Sequence, residues 1–296
     1  MPRTKASART STKATPASVA KKKASSKRAK TTTPRTTTPK PDLTFQLTEQ
    51  FRELRLPAIR DHFPASARRA AVENLSHLEY LSELTTLECA ARREGRIKRL
   101  VNRSKLPPDK TWDSFKFDRL PLYVTQQLQT LRDGSFLKRR ENVLLFGKPG
   151  SGKSHALCAL AEQLIFQGHS ILFTTCGLLV QQLLLAKRDL RLPKMIKQLS
   201  SFEGLIIDDL GYVQQTREEM EVLFTLLAER YERGSVLLTS NLAFSKWDQI
   251  FKDVMTTAAA IDRLVHHSVI IELNVPSYRV ETAKQTKSRN QPKAND

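Results

Sequence analysis

Gly147-Lys148-Pro149-Gly150-Ser151-Gly152-Lys153-Ser154 reads as G-x-x-x-x-G-K-S. The apolar stretch Asn142-Val143-Leu144-Leu145-Phe146 comes directly before it, and a helix-compatible segment, His155 to Phe166, directly after. Strand, glycine-rich loop and helix in that order are the context a phosphate-binding loop requires. Glycines let backbone N–H groups turn inward around a polyphosphate, and the helix N-terminus adds its partial positive charge. In such a loop Lys153 reaches the β- and γ-phosphates and the Ser154 hydroxyl holds Mg²⁺. A plain glycine turn between a strand and a helix is the alternative, and flanks of this quality argue against it. The stretch predicts a chain that binds a nucleoside triphosphate.

Three segments farther along add candidate chemistry. Leu205-Ile206-Ile207-Asp208-Asp209 is an apolar strand ending in acid, which places carboxylates at the carboxyl edge of a parallel sheet, where ligands of α/β folds bind. Asp208 is positioned to coordinate Mg²⁺, directly or through water, and Asp209 to orient and polarise the attacking water. Val236-Leu237-Leu238-Thr239-Ser240-Asn241 is a buried strand ending in polar residues. Asn241 could bond the γ-phosphate or the lytic water, although Ser-Asn after a strand is also an ordinary turn signal. In Ile261-Asp262-Arg263-Leu264, Arg263 could reach the γ-phosphate of a neighbouring subunit; the alternative is a surface arginine paired with Asp262. His266 and His267 have no partner pattern and read as structural.

From about residue 119 onward, short apolar runs alternate with helical patterns. Strands are expected at Val143–Phe146, Ile171–Thr174, Leu205–Ile207, Val236–Thr239 and Val269–Leu273, with helices near 155–167, 178–200, 217–233 and 256–266. Continuous apolar strands separated by helices imply an α/β fold with a mainly parallel sheet covered on both faces. Upstream, residues 43 to about 105 read as helices. Leu47, Phe51 and Leu54 share a face, and Pro57 ends that turn or opens the next. Ser76 and Glu79 form a capping-box signature. It opens a long helix with Leu78, Leu81, Leu84 and Leu87 on one side and the stripe Arg92, Arg96, Arg99 and Arg103 toward its end. The stripe reads either as a solvated face or as a helix laid on a DNA backbone. Trp112, Phe115 and Phe117 follow Pro107-Pro108 and are expected to pack the connection onto the next domain.

The 296 residues carry a net charge of +19, which points to a polyanionic partner, nucleic acid first. Twelve of those nineteen charges fall before Asp42, where no acid occurs. Residues 1–42 are low-complexity sequence rich in Ala, Ser, Thr, Lys and Pro, expected to be a disordered basic tail touching phosphates without sequence preference. Cys89, Cys158 and Cys176 lie far apart without a C-x-x-C partner, so they read as buried apolar residues in a reducing compartment. No apolar run approaches the roughly 18 residues of a membrane span, and no membrane partner is expected.

Several of these motifs together resemble one family. Gly147–Ser154, LIIDDLGY at 205–212, YERGSVLLTSN at 231–241, DRLVHH at 262–267 and SYR at 277–279 are similar to the IstB-like transposition helper ATPases, AAA+ proteins related to the helicase loader DnaC. The likeness extends upstream through ECAARREGRIKRLVNR at 88–103 and covers roughly residues 47 to 285. It implies an AAA+ P-loop NTPase fold at 119–285, after a small helical N-terminal domain at 43–118 and before a polar C-terminal tail at 286–296. It also implies the initiator-clade helical insertion at about 178–200, carrying Lys187, Arg188, Arg191, Lys194 and Lys197 toward DNA. By the same resemblance Lys153 and Ser154 are the Walker A pair, Asp208 and Asp209 the Walker B pair, Asn241 the sensor and Arg263 the arginine finger. The implied activity is slow ATP hydrolysis with Mg²⁺, stimulated by DNA or a partner, in a bacterial, cytoplasmic protein. The implied partners are double-stranded DNA, a transposase and further copies of the chain in the ATP state. Where many AAA+ proteins carry Glu this chain has Asp209, one methylene shorter, and the basic tail departs from the family pattern. A helicase loader would share every ATPase motif, and a DNA-coating protein with ATP as a structural ligand is the non-enzymatic alternative.

Overall fold

A computed structural model describes residues 42–211, 216–243, 246–247 and 254–281. The basic stretch before Asp42, Tyr212 of the LIIDDLGY segment and the polar end 286–296 lie outside the described residues. The chain divides into two units, Met1–Gln50 and Phe51–Asp296. Of the first, the described part is the start of α1 (Leu43–Glu53). The second contains everything discussed below.

Its centre is a five-stranded sheet of β1 (Asn142–Gly147), β2 (Ile171–Thr175), β3 (Gly204–Leu210), β4 (Ser235–Ser240) and β5 (Ser268–Leu273). The order is β2-β3-β4-β1-β5 and every pairing is parallel. Val143, Leu144, Leu145, Leu205, Ile206 and Ile207 are fully buried, as expected of central strands covered on both faces. All five expected strands are present, extended by a residue or more at their ends.

Two helices cover one face. α4 (Leu122–Leu131) and α6 (Lys153–Phe166) bury Val124, Leu128, Leu157, Leu160 and Leu164 against Val143, Leu145 and Leu237. On the other face α7 (Cys176–Arg188), α8 (Leu192–Ser200), α9 (Arg217–Arg230) and α10 (Val254–Val265) surround Leu144, Leu205, Ile207 and Leu238. A short helix, α5 (Ser135–Arg139), precedes β1. The single helical segment expected over 178–200 is therefore two helices. Leu190 sits at φ +57° between them and Pro193 opens α8; a left-handed residue followed by proline cannot continue a helix. α7 packs on β2, β3 and α9, so it is a sheet-covering crossover rather than a projecting insertion. The basic residues Arg188, Arg191, Lys194 and Lys197 are exposed around the break and along α8.

Upstream, α2 (Pro57–Glu73) and α3 (His77–Ser104) form an antiparallel pair. Pro57 opens α2 at its first turn, the position where its missing N–H costs nothing. The capping box forms as expected, Glu79 N–H donating to Ser76 Oγ and Ser76 N–H to Glu79. The leucine stripe behaves differently. Leu84 is buried, whereas Leu78 and Leu81 are 80% and 56% exposed, because α2 covers only part of that face. The arginine stripe is largely tied down within the chain. Arg92 bonds Glu88 and the Arg55 carbonyl, Arg96 donates to Gly168 O at 2.9 Å, and Arg103 stacks 5.0 Å over the Phe202 ring. The end of α3 thus lies along β2 and α6. Cys158 and Cys176 are buried, their thiols pushed up to about 12 by burial. Cys89 is exposed, contrary to expectation, being on the outer face of α3.

The buried polar groups explain how the layers hold register. Arg230, 1% exposed, donates from its guanidinium to the carbonyls of Leu199, Phe202, Glu203 and Ser235. Burial pulls it down to about 10, yet four acceptors satisfy most of its donors without a carboxylate. Asn142 accepts from Val236 N–H at 2.8 Å and donates to Leu264 O at 3.0 Å, pinning β1 to β4 and to α10. Among the described residues no helix is long and apolar enough to cross a membrane.

Candidate active site

The loop Gly147–Ser154 joins β1 to α6 at the carboxyl edge of the sheet. Two of its glycines are required by close approach. A Cβ on Gly147 would stand 2.5 Å from Leu273 O; one on Gly150, which has φ +80°, would stand 2.1 Å from Ser277 Oγ. The Lys153 ammonium donates to Gly147 O at 2.8 Å and Lys148 O at 3.1 Å. Burial lowers its pKa, and the nearby Asp209 and Asp208 partly offset that. The Ser151 hydroxyl is buried without a partner in the same loop.

A cleft of about 560 Å³ opens over the loop, within the range of small-molecule sites. Its floor includes Pro149, Gly150, Ser151, Gly152, Lys153 and Ser154, and both Asp209 and Asn241 reach its lining. Asn241 Oδ1 is buried without a partner. Asp208 is 4% exposed and accepts from Thr239 Oγ1 at 2.6 Å. The Asp209 N–H donates to the same hydroxyl at 2.8 Å. Burial raises the Asp209 pKa and the adjacent Asp208 adds to the rise, while Lys153 opposes it.

The donor set suits Mg²⁺. Asp208 and Ser154 offer hard oxygens, and Mg²⁺ characteristically takes one or two protein ligands plus phosphate and water. Among the described residues no cluster of three or more His, Cys, Asp or Glu forms a cage that would hold a metal without such help.

The remaining walls went unrecognised in the sequence. One comes from the connection after α3, with Asp109, Lys110, Ser114, Phe115 and Lys116, and the other from Tyr278 and Arg279. Trp112, Phe115 and Phe117 do pack as expected, with Phe115–Phe117 and Trp112–Phe117 centroids 4.8 and 4.7 Å apart. The Phe115 ring also meets His155 at 5.1 Å, so the aromatic cluster shapes the cleft as well as joining segments. The C-terminal strap is clamped at two points. Tyr278 N–H donates to Gly150 O at 2.9 Å, and Arg119 bonds Pro276 O and Glu281 while lying over the Tyr278 ring. The SYR segment stood out in the sequence only as part of the family resemblance, and nothing local there shows that it closes on the loop.

Arg263 is elsewhere. It lines a small pit with Asn142, Val236, Leu264 and His267. Asn142 and Val236 stand at the starts of β1 and β4, so in a parallel sheet this is the edge opposite the loop. His266 bonds Tyr231 Oη at 3.0 Å and stacks near His267, in keeping with a structural role.

Comparison with known proteins gives a family and a fold. The family described as IstB-like ATP binding protein matches residues 49–286. An insertion-sequence ATP-binding protein of Sinorhizobium fredii is 43% identical over 236 residues, 79% of each chain. The IS21 ATP-binding protein of Pseudomonas aeruginosa is 33% identical over 232 residues, 78% of this chain and 88% of its own. Among solved structures, AMPPCP-bound DnaA from Aquifex aeolicus superposes with a TM-score of 0.50 at 15% identity, over 65% of this chain and 58% of that one. The chain therefore spans less than two thirds of that DnaA, and the likeness bears on the fold alone, that of an AAA+ P-loop protein.

Proposed function

The chain belongs to the IstB-like ATP-binding proteins, and from that premise we propose an ATP-dependent, DNA-binding regulator of an insertion-sequence transposase. One observation carries the reading. Lys153, Asp209 and Asn241 line one cleft, while Arg263 stands at the other edge of the same sheet. On this reading a second copy brings its Arg263 to the cleft, which ties ATP to assembly.

The backbone N–H groups of Gly150–Ser154 hold the phosphates, and Lys153 balances their charge. Asp208 and the Ser154 hydroxyl would hold Mg²⁺, whose charge would offset that developing on the phosphoryl group. Asp209 orients the attacking water and accepts its proton, a task its raised pKa favours. Asn241 supplies a hydrogen bond to the water or the γ-phosphate, which would satisfy its otherwise unpartnered Oδ1 or its amide. The segments 43–118 and 119–285 serve as helical and ATPase parts. Arg188, Arg191, Lys194 and Lys197, exposed around α8, and the basic stretch before Asp42 meet DNA phosphates. Lys187 contributes less, being paired with Glu221 at 2.9 Å.

The test is ATPase rate and sedimentation with and without double-stranded DNA, in ATP and in ADP. Large complexes that need both ATP and DNA, with DNA-stimulated turnover, are expected. Lys153→Ala should lose nucleotide binding. Asp209→Asn should keep ATP, persist on DNA and turn over about 10²–10⁴-fold more slowly. Stimulation only by single strands or by a helicase would replace this reading with a loader, and nucleotide-independent coating would remove the enzyme altogether.

A further inference from the structure

The two carboxylates of the site sit on an irregular stretch of β3. Ile207 pairs with Leu238 and the next pair is Leu210 with Ser240. Asp208 and Asp209 therefore stand together opposite Thr239, a β-bulge of two residues against one. The bulge puts Asp209 at φ +60°, a left-handed conformation that Asp tolerates better than most residues but that still needs support from its surroundings. It also carries Asp209 to the cleft while Asp208, the preceding residue, stays buried.

Such a bulge leaves a ladder N–H without its backbone acceptor. Here the side chain of Thr239, itself fully buried, fills the gap. Its Oγ1 accepts from Asp209 N–H at 2.8 Å. A threonine hydroxyl has a single proton, and that proton goes to Asp208 Oδ1 at 2.6 Å. One oxygen atom thus fixes the backbone of one carboxylate residue and the side chain of the other. Donation to Oδ1 leaves Asp208 Oδ2 as the oxygen for a cation.

We infer that Thr239 is the positioning residue of the hydrolytic centre, setting the Asp208 carboxylate for Mg²⁺ and holding Asp209 in the left-handed turn that aims it into the cleft. The inference rests on the ATPase reading of this site. Valine at 239 has the same shape and can neither accept nor donate, whereas serine keeps both functions. Loss of a group that orients a metal ligand costs about 10–100-fold in metal affinity or activity.

The experiment compares the full-length wild type with Thr239→Val and Thr239→Ser. Mn²⁺ binding is measured by electron paramagnetic resonance in the presence of a non-hydrolysable ATP analogue, and binding of the analogue alone is measured without metal. T239V should bind the analogue alone as wild type does, bind Mn²⁺ about 10-fold more weakly, and lose kcat with little change in KM. T239S should restore both. Should T239V fail to fold by circular dichroism, Thr239→Cys, with its weak donor and acceptor, takes its place and must move the same way. Equal Mn²⁺ affinity in wild type and T239V overturns the role of Thr239 alone. A wild type that binds no Mn²⁺ with the analogue overturns the ATPase reading instead. A T239S protein as impaired as T239V would make the methyl group, not the hydroxyl, the important feature and sink the inference.

Discussion

Removing the Glu88 carboxylate should destabilise the α2–α3 pair measurably, and the structure says by how much. α2 begins after Leu56, which gives no side-chain cap. Its first-turn donors are satisfied from another helix instead: Glu88 Oε2 accepts from Ala58 N–H at 2.9 Å and Ile59 N–H at 3.2 Å, while Oε1 accepts from Arg92 Nε at 2.9 Å. In Glu88→Ala the two amides lose their cap, at about 0.5–2 kcal/mol. The charge-assisted bond to Arg92 adds about 1.5–3 kcal/mol where it is well buried. Arg92 is exposed and water takes over its donors, and the cover over Glu88 is one helix pair rather than a deep core. A net loss of about 2 kcal/mol follows, or roughly 3 °C for a chain of 296 residues. Desolvation alone would raise the Glu88 pKa, but the bonds from Arg92, Ile59 and Ala58 outweigh it and hold the pKa low. The stabilisation is therefore fully present above the ordinary glutamate pKa near 4.3 and fades as pH falls through the depressed native value. Urea and thermal unfolding at pH 7 and in steps below pH 4.5 are the assays, with Glu88→Gln recovering part of the loss. A midpoint for E88A within a degree of wild type at pH 7, or a gap that stays constant down the acid series, would refute the capping argument.

Two further outcomes are expected. Gly150→Ala forces a Cβ into a left-handed backbone and against Ser277; at about 1–2 kcal/mol for the backbone alone, ATP affinity should fall roughly 5–30-fold by isothermal titration, and adding Ser277→Gly should recover only the part due to the clash. Deleting residues 1–41 removes twelve positive charges and no negative one, so DNA affinity should drop and log K should depend less steeply on log salt; an unchanged slope would leave that stretch without a role in binding.

What the sequence determined by itself is whatever has a short-range signature. The strand, loop and helix around Gly147–Ser154, the Ser76–Glu79 cap and the five apolar strands each depend on residues a few positions apart, so spacing and periodicity reveal them. The same holds for the acid pair ending β3, whose place at the carboxyl edge follows from strand direction alone. Tertiary structure decided the rest. Arg263 lies at the opposite edge from the loop because α10 leads into the start of β5, a fact of topology. Glu88 caps a helix thirty residues earlier, Arg230 is held by carbonyls from three segments, and Tyr278 closes on Gly150 across most of the ATPase part. Leu78 and Leu81, placed with Leu84 on one side of a helix by their spacing, are exposed while Leu84 is buried, because only packing determines which part of a helix its neighbour covers. Thr239 shows the division most clearly: in the strand VLLTSN it is one more β-branched residue, and only the bulge across from it makes its hydroxyl the partner of two carboxylate residues. Local interactions write their pattern into neighbouring positions, whereas a hydrogen bond between distant segments leaves no mark until the chain has folded and brought them together.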